Sequence, residues 1–309
     1  MAKILVTGGA GFIGSHIVDK YIEEGHDVVV VDDLSTGKKE FVNPKAKFYE
    51  IDLRHKDEIS KIISNEKPEI INHQAAQKSV NDSVKNPGKD AEINIIGFLN
   101  LMEAAKENDI KKVIFASTGG AIYGAADVIP TPEDEKLRPI SPYAITKLTS
   151  ENYLRFYQIV ADITPVILRY ANVYGPRQDP YGEAGVVAIF SKLIAQDKPV
   201  TVFGDGKQTR DYIFVADIAE ANLKALEYQP KDFDSVVMNI GTGIETPLNS
   251  IIDLFRDASG KEVKIKNDPP RAGDLLRSAI KNDKASQLLN WHPQVELKAG
   301  IAKTYKYFA

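Results

Sequence analysis

The sequence predicts an α/β protein, a doubly wound parallel sheet of about seven strands followed by a smaller mixed α/β C-terminal domain. Three observations carry that expectation. Short β-branched runs alternate with longer helical patterns through the first 240 residues, the mark of repeated βαβ units. Several of the runs, such as Val28-Val29-Val30-Val31, are continuously apolar, as strands covered on both faces are. A glycine-rich turn, Gly8-Gly9-Ala10-Gly11-Phe12-Ile13-Gly14, stands where the first strand turns into the first helix.

In chain order, strands are expected at 3–7, 27–32, 46–51, 69–74, 111–117, 163–169 and 236–240, with helices between them at 12–25, 55–66, 88–108 and 142–161. Ser141 suits an N-cap and Pro142 the first helical position, so the last of these helices has a well-marked start. After Arg169 the alternation breaks, and Tyr174 to Gly185, rich in Gly and Pro, leaves the sheet. A helix near 184–197, a strand near 200–203, a helix near 215–228, and a last strand and helices after 260 follow, with Thr246-Pro247 expected to open a helix to about Ser259. The resulting division gives residues 1–175, with a return segment near 215–245, to the first domain, and 176–214 with 246–309 to the second.

At 309 residues, with 43% hydrophobic and 27% charged residues, the chain has the composition of an ordinary globular protein. A net charge of −4, with Lys and Arg dispersed, gives no support for nucleic-acid binding. No apolar run approaches membrane-spanning length and no signal-peptide pattern opens the chain, so a cytoplasmic protein without a membrane partner is expected. Without cysteine there is no thiolate, and the five histidines lack metal-ligand spacing, so no metal is expected.

Strand, glycines and helix together form a cradle for a dinucleotide, which makes the expected sheet Rossmann-type. Glycines let the backbone approach a pyrophosphate, and the helix N-terminus offers it unpaired N–H groups. The spacing, G-x-x-G-x-x-G, lies one residue off the usual fingerprint. Asp32, closing the second strand, is placed to accept from both ribose hydroxyls and to repel a 2′-phosphate, which favours NAD over NADP. Asp33 adds to that repulsion or serves as a turn residue before Leu34-Ser35-Thr36-Gly37. Asp52, followed by Leu53, either accepts from the adenine amino group or caps the helix at 55–66.

Tyr143 and Lys147 lie four residues apart, on one face of the helix at 142–161. An ammonium near the phenol, beside a positively charged nicotinamide, favours the phenolate, so Tyr143 is expected to act as a base near neutral pH, below its usual value of about 10.

The glycine turn and the Tyr143/Lys147 pair resemble those of the extended short-chain dehydrogenases/reductases. Further segments narrow the resemblance to UDP-glucose 4-epimerase-like nucleotide-sugar enzymes. They are His73-Gln74-Ala75-Ala76-Gln77, Ser117-Thr118-Gly119-Gly120-Ala121-Ile122-Tyr123-Gly124, Leu168 to Gly175, Phe203 to Tyr212, and Pro270-Arg271-Ala272-Gly273-Asp274. The resemblance implies a catalytic triad of Thr118, Tyr143 and Lys147 on bound NAD. It implies a cofactor site of Gly8, Gly11, Phe12, Ile13, Gly14, Asp32 to Gly37, Asp52, Leu53, Gln74, Ala75, Ala76, Lys78, Asn94, Tyr143, Lys147 and Tyr170. For the UDP-sugar it implies Asn172, Val187, Phe203, Arg210, Arg271, Asp274 and Ser278, together with Lys78, Thr118 and Tyr143. A homodimer is implied as well, through the helices at 88–108 and 142–161, although one large core would bury the same residues.

The reaction expected is reversible oxidation at C4 of a UDP-hexose. In relatives that dehydrate or decarboxylate, an acid follows the triad threonine, whereas this chain has Gly119-Gly120 there. A 4-epimerase is therefore favoured over a 4,6-dehydratase or a glucuronate decarboxylase, with a UDP-glucuronate 4-epimerase left as an alternative. A regulator that keeps the fold without chemistry is disfavoured because Tyr143 and Lys147 are both present. The resemblance places Ser278 where relatives restricted to glucose and galactose often carry Tyr and those that accept N-acetyl sugars carry a small residue. That implies UDP-N-acetylglucosamine as a substrate beside UDP-glucose; the alternative is an ordinary solvated serine. Asp179-Pro180-Tyr181-Gly182-Glu183 either shapes the sugar pocket or forms a tight turn.

Overall fold

The structure, a computed structural model, describes residues 1–181, 185–270 and 275–309. Its first half winds back and forth across one sheet. The run is β1 (Lys3–Thr7), α1 (Phe12–Glu23), β2 (Asp27–Asp32), β3 (Lys47–Glu50), α2 (Lys56–Glu66), β4 (Ile70–His73), α3 (Val80–Lys85), α4 (Pro87–Ala91), a π-helical turn (Glu92–Ile96), α5 (Gly97–Glu107), β5 (Lys112–Thr118), α6 (Pro142–Ala161) and β6 (Thr164–Tyr170). There follow β7 (Asn172–Tyr174), α7 (Val186–Ala195), β8 (Val200–Phe203), β9 (Thr209–Arg210), β10 (Tyr212–Phe214), α8 (Val215–Glu227), β11 (Val237–Ile240), β12 (Thr246–Pro247), α9 (Leu248–Ser259), β13 (Ile265–Asp268), α10 (Asp283–Leu289) and α11 (Leu297–Phe308).

The seven expected strands form one sheet in the order β11-β6-β5-β4-β1-β2-β3, every pair parallel. The order reverses between β1 and β4, and the crevice beyond the strand ends at such a switch point is where this architecture receives a ligand. Alternate residues feed the two faces. Ile4, Val6, Val28 and Val30 pack under α1 and α8. Leu5, Val29, Val31 and Ile71 pack under α2 and α5. All eight are essentially inaccessible, which is why these strands read as unbroken apolar runs.

A third core holds the smaller lobe together. Val187, Phe190 and Ile194 of α7 meet Val200 and Val202 of β8, Ile251 and Phe255 of α9, and Ile301 of α11. Core membership does not follow the linear division of the chain everywhere: Ala285, Leu289 and Trp291 pack into the first core, and Tyr174 into the third.

Local departures from expectation have local causes. The helix expected at 88–108 is continuous but is underwound into a wider π-helical turn through Glu92–Ile96, around Asn94. Helix α3 was not expected, because six residues are too few to show a helical period. Thr246-Pro247 pairs with Thr209–Arg210 as a short strand, and Pro247 is the N-cap of α9, so that helix begins at Leu248 without a threonine cap.

Candidate active site

The sequence places Ser141 at the start of α6, and the structure uses it there: its hydroxyl accepts from Ala144 N at 3.2 Å, with Pro142 in the first turn. A second hydroxyl, Ser83 of α3, accepts from Tyr143 N at 3.2 Å. With its first turn held twice, α6 presents Tyr143 and Lys147 toward the end of β5. Lys147 is buried and its Nζ donates to Ala116 O at 2.8 Å, over the Phe115 ring. Thr118, at the end of β5, stands beside the Tyr143 phenol.

Burial governs both titrating groups of the pair. Tyr143 is pushed up to about 12, by burial first, with Asp90 adding to the rise and Thr118 opposing it. Lys147 is pulled down to about 8, again by burial first, with Asp90 and Glu151 opposing. The expected lowering of the phenol by the ammonium is not seen in the protein alone, because removing both groups from water outweighs it.

The glycine turn leaves room for backbone and nothing else. Gly8 has φ +71°, and a Cβ on it would lie 2.6 Å from Ala75 N; a Cβ on Gly14 would lie 2.1 Å from Gly8 O. Gly11 is the N-cap of α1 and supplies no side chain to it, so the first-turn N–H groups of Phe12, Ile13 and Gly14 are uncapped from that side. Asp32 is buried at the end of β2, where its carboxylate accepts from Ala10 N at 3.0 Å and Leu34 N at 2.9 Å. Two acceptor positions remain on that carboxylate. Close backbone approach, uncapped N–H groups and an acid at the end of β2 fit a dinucleotide.

Other expected cofactor residues have more varied places. Asp33 accepts from Ser35 N and Oγ, as a turn residue does. Asp52 accepts from Arg54 N and pairs with the Arg54 guanidinium, while α2 is capped at His55 without a side-chain bond, so Asp52 is not its cap. Leu53 packs against α5, where its carbonyl accepts from Asn100 Nδ2. Gln74, Ala75 and Ala76 leave β4 beside Gly8, and Gln74 Nε2 donates to Asn72 Oδ1. The Tyr170 phenol is turned into the core toward Asn222 and Gln74. Asn94 is buried behind the loop at Gln77, and exposed Lys78 lies near Asp179.

A cavity of about 450 Å³ opens in the smaller lobe. Four of the expected substrate residues, Asn172, Val187, Phe203 and Arg210, line it. Sequence reasoning missed Tyr174, Gln208 and Tyr212 on the same wall. All three sit inside segments already singled out by resemblance, Tyr174 in Leu168 to Gly175 and Gln208 and Tyr212 in Phe203 to Tyr212, where only their neighbours were assigned a role. Arg271 and Asp274 lie outside the described residues, as do Gly182 and Glu183. Ser278 is half-buried and is not among the lining residues; two positions on, Ile280 packs against Gly119. Asp211, also missed, accepts from Thr242 N, Gly243 N and Ile280 N, and so ties that segment to the end of β11.

Gly119 and Gly120 differ in what they leave open. A Cβ on Gly119 would lie 2.6 Å from Ile280 Cδ1 and 3.3 Å from Arg169 O, so that position is filled by its neighbours. At Gly120 the nearest atoms are those of the Asn172 amide at 3.9 Å, an ordinary contact that leaves the position uncrowded beside a residue lining the cavity.

A switch-point crevice with a glycine cradle, beside a threonine, a tyrosine and a lysine at the ends of β5 and α6, defines the extended short-chain dehydrogenase/reductase class. The NAD dependent epimerase/dehydratase family matches residues 4–241. The chain belongs to that family. It is 45% identical over 305 residues to a putative UDP-glucose 4-epimerase of Methanocaldococcus jannaschii, covering 98% of this chain and 97% of that one. The solved UDP-glucose 4-epimerase of Thermotoga maritima with UDP-glucose superposes with a TM-score of 0.94 at 49% identity, over 99% of this chain and 98% of that one. A UDP-N-acetylglucosamine 4-epimerase of Methanobrevibacter ruminantium, in complex with UDP-N-acetylmuramic acid, superposes at 0.93 with 34% identity, over 99% and 98% of the two chains.

Proposed function

We propose that the chain catalyses NAD-dependent 4-epimerisation of a UDP-hexose, UDP-glucose to UDP-galactose and back, and of UDP-N-acetylglucosamine as well, through a transient 4-keto sugar. NAD, when bound, supplies a reversible hydride acceptor for C4. The residues to hold it are the Gly8 to Gly14 turn with the α1 N-terminus for the pyrophosphate and Asp32 for the adenosine ribose. Thr118 hydrogen-bonds the C4 oxygen, Tyr143 takes its proton, and the Lys147 ammonium stabilises the phenolate. The UDP lies in the cavity lined by Asn172, Val187, Phe203 and Arg210.

The observation that carries the reading is Gly119-Gly120. Dehydration or decarboxylation of the keto sugar needs a further proton carrier beside the triad threonine, and neither glycine can be one. A site with a single acid/base returns the hydride and proton to the sugar and does nothing else.

Purified protein, incubated without added NAD with a panel of UDP-sugars and followed by NMR, is expected to interconvert the C4 epimers. Tyr143→Phe should lower turnover by about two to four orders of magnitude with the fold intact. A deoxy-sugar product or released carbon dioxide would overturn the assignment. Ser278→Tyr is expected to abolish conversion of UDP-N-acetylglucosamine while UDP-glucose is still turned over; equal loss of both would remove Ser278 from the sugar pocket.

Two coarser expectations belong with this reading. The working form is a homodimer, supported by exposed Ile96 beside α5 and by Ile145, Phe156, Ile159 and Val160 on α6. The place of work is the cytoplasm, where a dinucleotide and a nucleotide sugar of galactose metabolism are both at hand.

A further inference from the structure

Asp90 is a carboxylate that no motif singled out, and it is 1% exposed. It stands in α4, across from the catalytic helix. Its Oδ2 accepts from Thr146 Oγ1 at 3.0 Å, and Thr146 is the residue before Lys147. Its Oδ1 accepts from Gln77 Nε2 at 2.9 Å and from Asn94 Nδ2 at 3.1 Å.

The direction of both amides is fixed by backbone. Asn94 Oδ1 accepts from Gln77 N and its Nδ2 donates to Gln77 O. Gln77 Oε1 accepts from Ser79 N and its Nε2 donates to Ser79 O. A backbone N–H only donates and a carbonyl only accepts, so neither amide can turn over, and both present N–H groups to Asp90. Burial by itself pushes Asp90 up toward the neutral acid, and the hydrogen bonds from Thr146, Gln77 and Asn94, with the Lys147 charge, oppose it. Two N–H groups aimed at one oxygen suit the ionised form.

The charge balance of the buried site points the same way. Glu151, the other acid near Lys147, is bound by Arg169 at 2.7 Å and by Ser117 at 2.5 Å, and all three are buried. Its charge is therefore already cancelled. Lys147 donates to a carbonyl, Asp90 accepts from neutral groups, and neither has a directly bonded ion partner among the described residues. Those two charges are what remains. From β4, His73 also faces Lys147, but it is buried and neutral, pulled down to about 3. The Tyr143 phenol, on the same helix, is uncharged until it loses its proton.

We propose that Asp90 is a positioning residue for the catalytic pair: it fixes Thr146 on α6 and the Gln77 loop by hydrogen bonds, and it is the buried counter-charge that keeps Lys147 an ammonium. The second half rests on Lys147 acting as proposed above, while the placement of the charge does not. Removing the carboxylate should let Lys147 lose its proton at lower pH, and the phenolate that depends on it would then lose support at the same pH.

The test compares wild type, Asp90→Asn and Asp90→Glu, free of nucleotide. The pH dependence of acetic anhydride labelling at Lys147, read by mass spectrometry, reports the lysine directly. Its midpoint is expected to fall by about one pH unit or more in Asp90→Asn and to stay near wild type in Asp90→Glu. In the same proteins with NAD restored, the alkaline limb of the epimerisation rate should move down with it in Asp90→Asn alone. An unmoved midpoint in folded Asp90→Asn overturns the proposal, whatever happens to the rate. If Asp90→Asn does not fold, Asp90→Glu against Asp90→Gln asks the same question at equal size, with equal midpoints as the overturning result. A wild type that epimerises nothing would sink the functional assignment, and the labelling would still decide the role of Asp90.

Discussion

Tyr143 and Lys147 lose solvent together, and burial moves each toward its neutral form. The phenol rises and the amine falls, so without a cofactor the protein holds a protonated tyrosine and a lysine titrating near neutrality. Chemistry at such a pair depends on charges supplied around it. His73 shows the same physics with a consequence for stability. It is buried between Phe98 and Phe115 with Nδ1 on the Thr7 hydroxyl, and burial pulls it down to about 3. In the unfolded chain it titrates at about 6.5. Between those values the unfolded state binds the extra proton, so the stabilisation is fully present above about 6.5 and is lost as pH falls. The loss amounts to about 1.4 kcal/mol per pH unit. Urea unfolding at pH 6 and pH 5 should show that loss in wild type and lack it in His73→Gln; equal slopes would mean that the folded protein admits a charged His73. His16, also lowered by burial, contributes equally to both proteins and cancels in the comparison.

At the scale of elements, the turn between β1 and α1 is the most demanding piece of backbone. The Cβ that Gly14→Ala adds would meet the carbonyl of Gly8, which is backbone and cannot rotate away. That substitution should cost about 1–3 kcal/mol in thermal unfolding and abolish NAD binding in calorimetry. Gly88→Ala, in the exposed first turn of α4 with no neighbour nearer than 3.8 Å, should leave both within experimental scatter of wild type. Comparable losses in the two variants would show that the crowding at Gly14 is not what matters. This turn, the seven strands and the start of α6 were legible in the sequence because each is written locally, in glycine spacing, apolar runs or a serine-proline pair. Asp90 was not. A carboxylate in the first turn of a helix reads as solvated, and its partners Gln77 and Thr146 stand 13 and 56 residues away. The two- and three-residue strands of the smaller lobe were illegible for a related reason: β7 with β10, and β9 with β12, are too short to show a period.

The whole molecule carries an apolar surface that its own cores leave uncovered. Ile145, Phe156, Ile159 and Val160 are 49–77% exposed along α6, and Ile96 at the start of α5 is 50% exposed. The two helices are braced side by side, with the Tyr157 phenol donating to Glu103 at 2.6 Å, so the surface is one rigid face. Burying a large apolar side chain is worth about 1.5–3 kcal/mol, and an exposed apolar face on paired helices is the kind of surface that a two-fold dimer covers. Phe156→Asp and Ile159→Glu each place a charge at the centre of that face. Each removes the apolar gain and adds a desolvation cost, which together exceed about 3 kcal/mol and correspond to a hundredfold or greater weakening of association. In sedimentation velocity at micromolar concentration, wild type is expected to run as a dimer and both variants as monomers with unchanged circular dichroism. Neither side chain touches the cavity or the catalytic pair, so NAD binding per chain should survive in the variants. A wild type that sediments as a monomer, or variants that remain dimeric, would show that this face is not the contact between subunits.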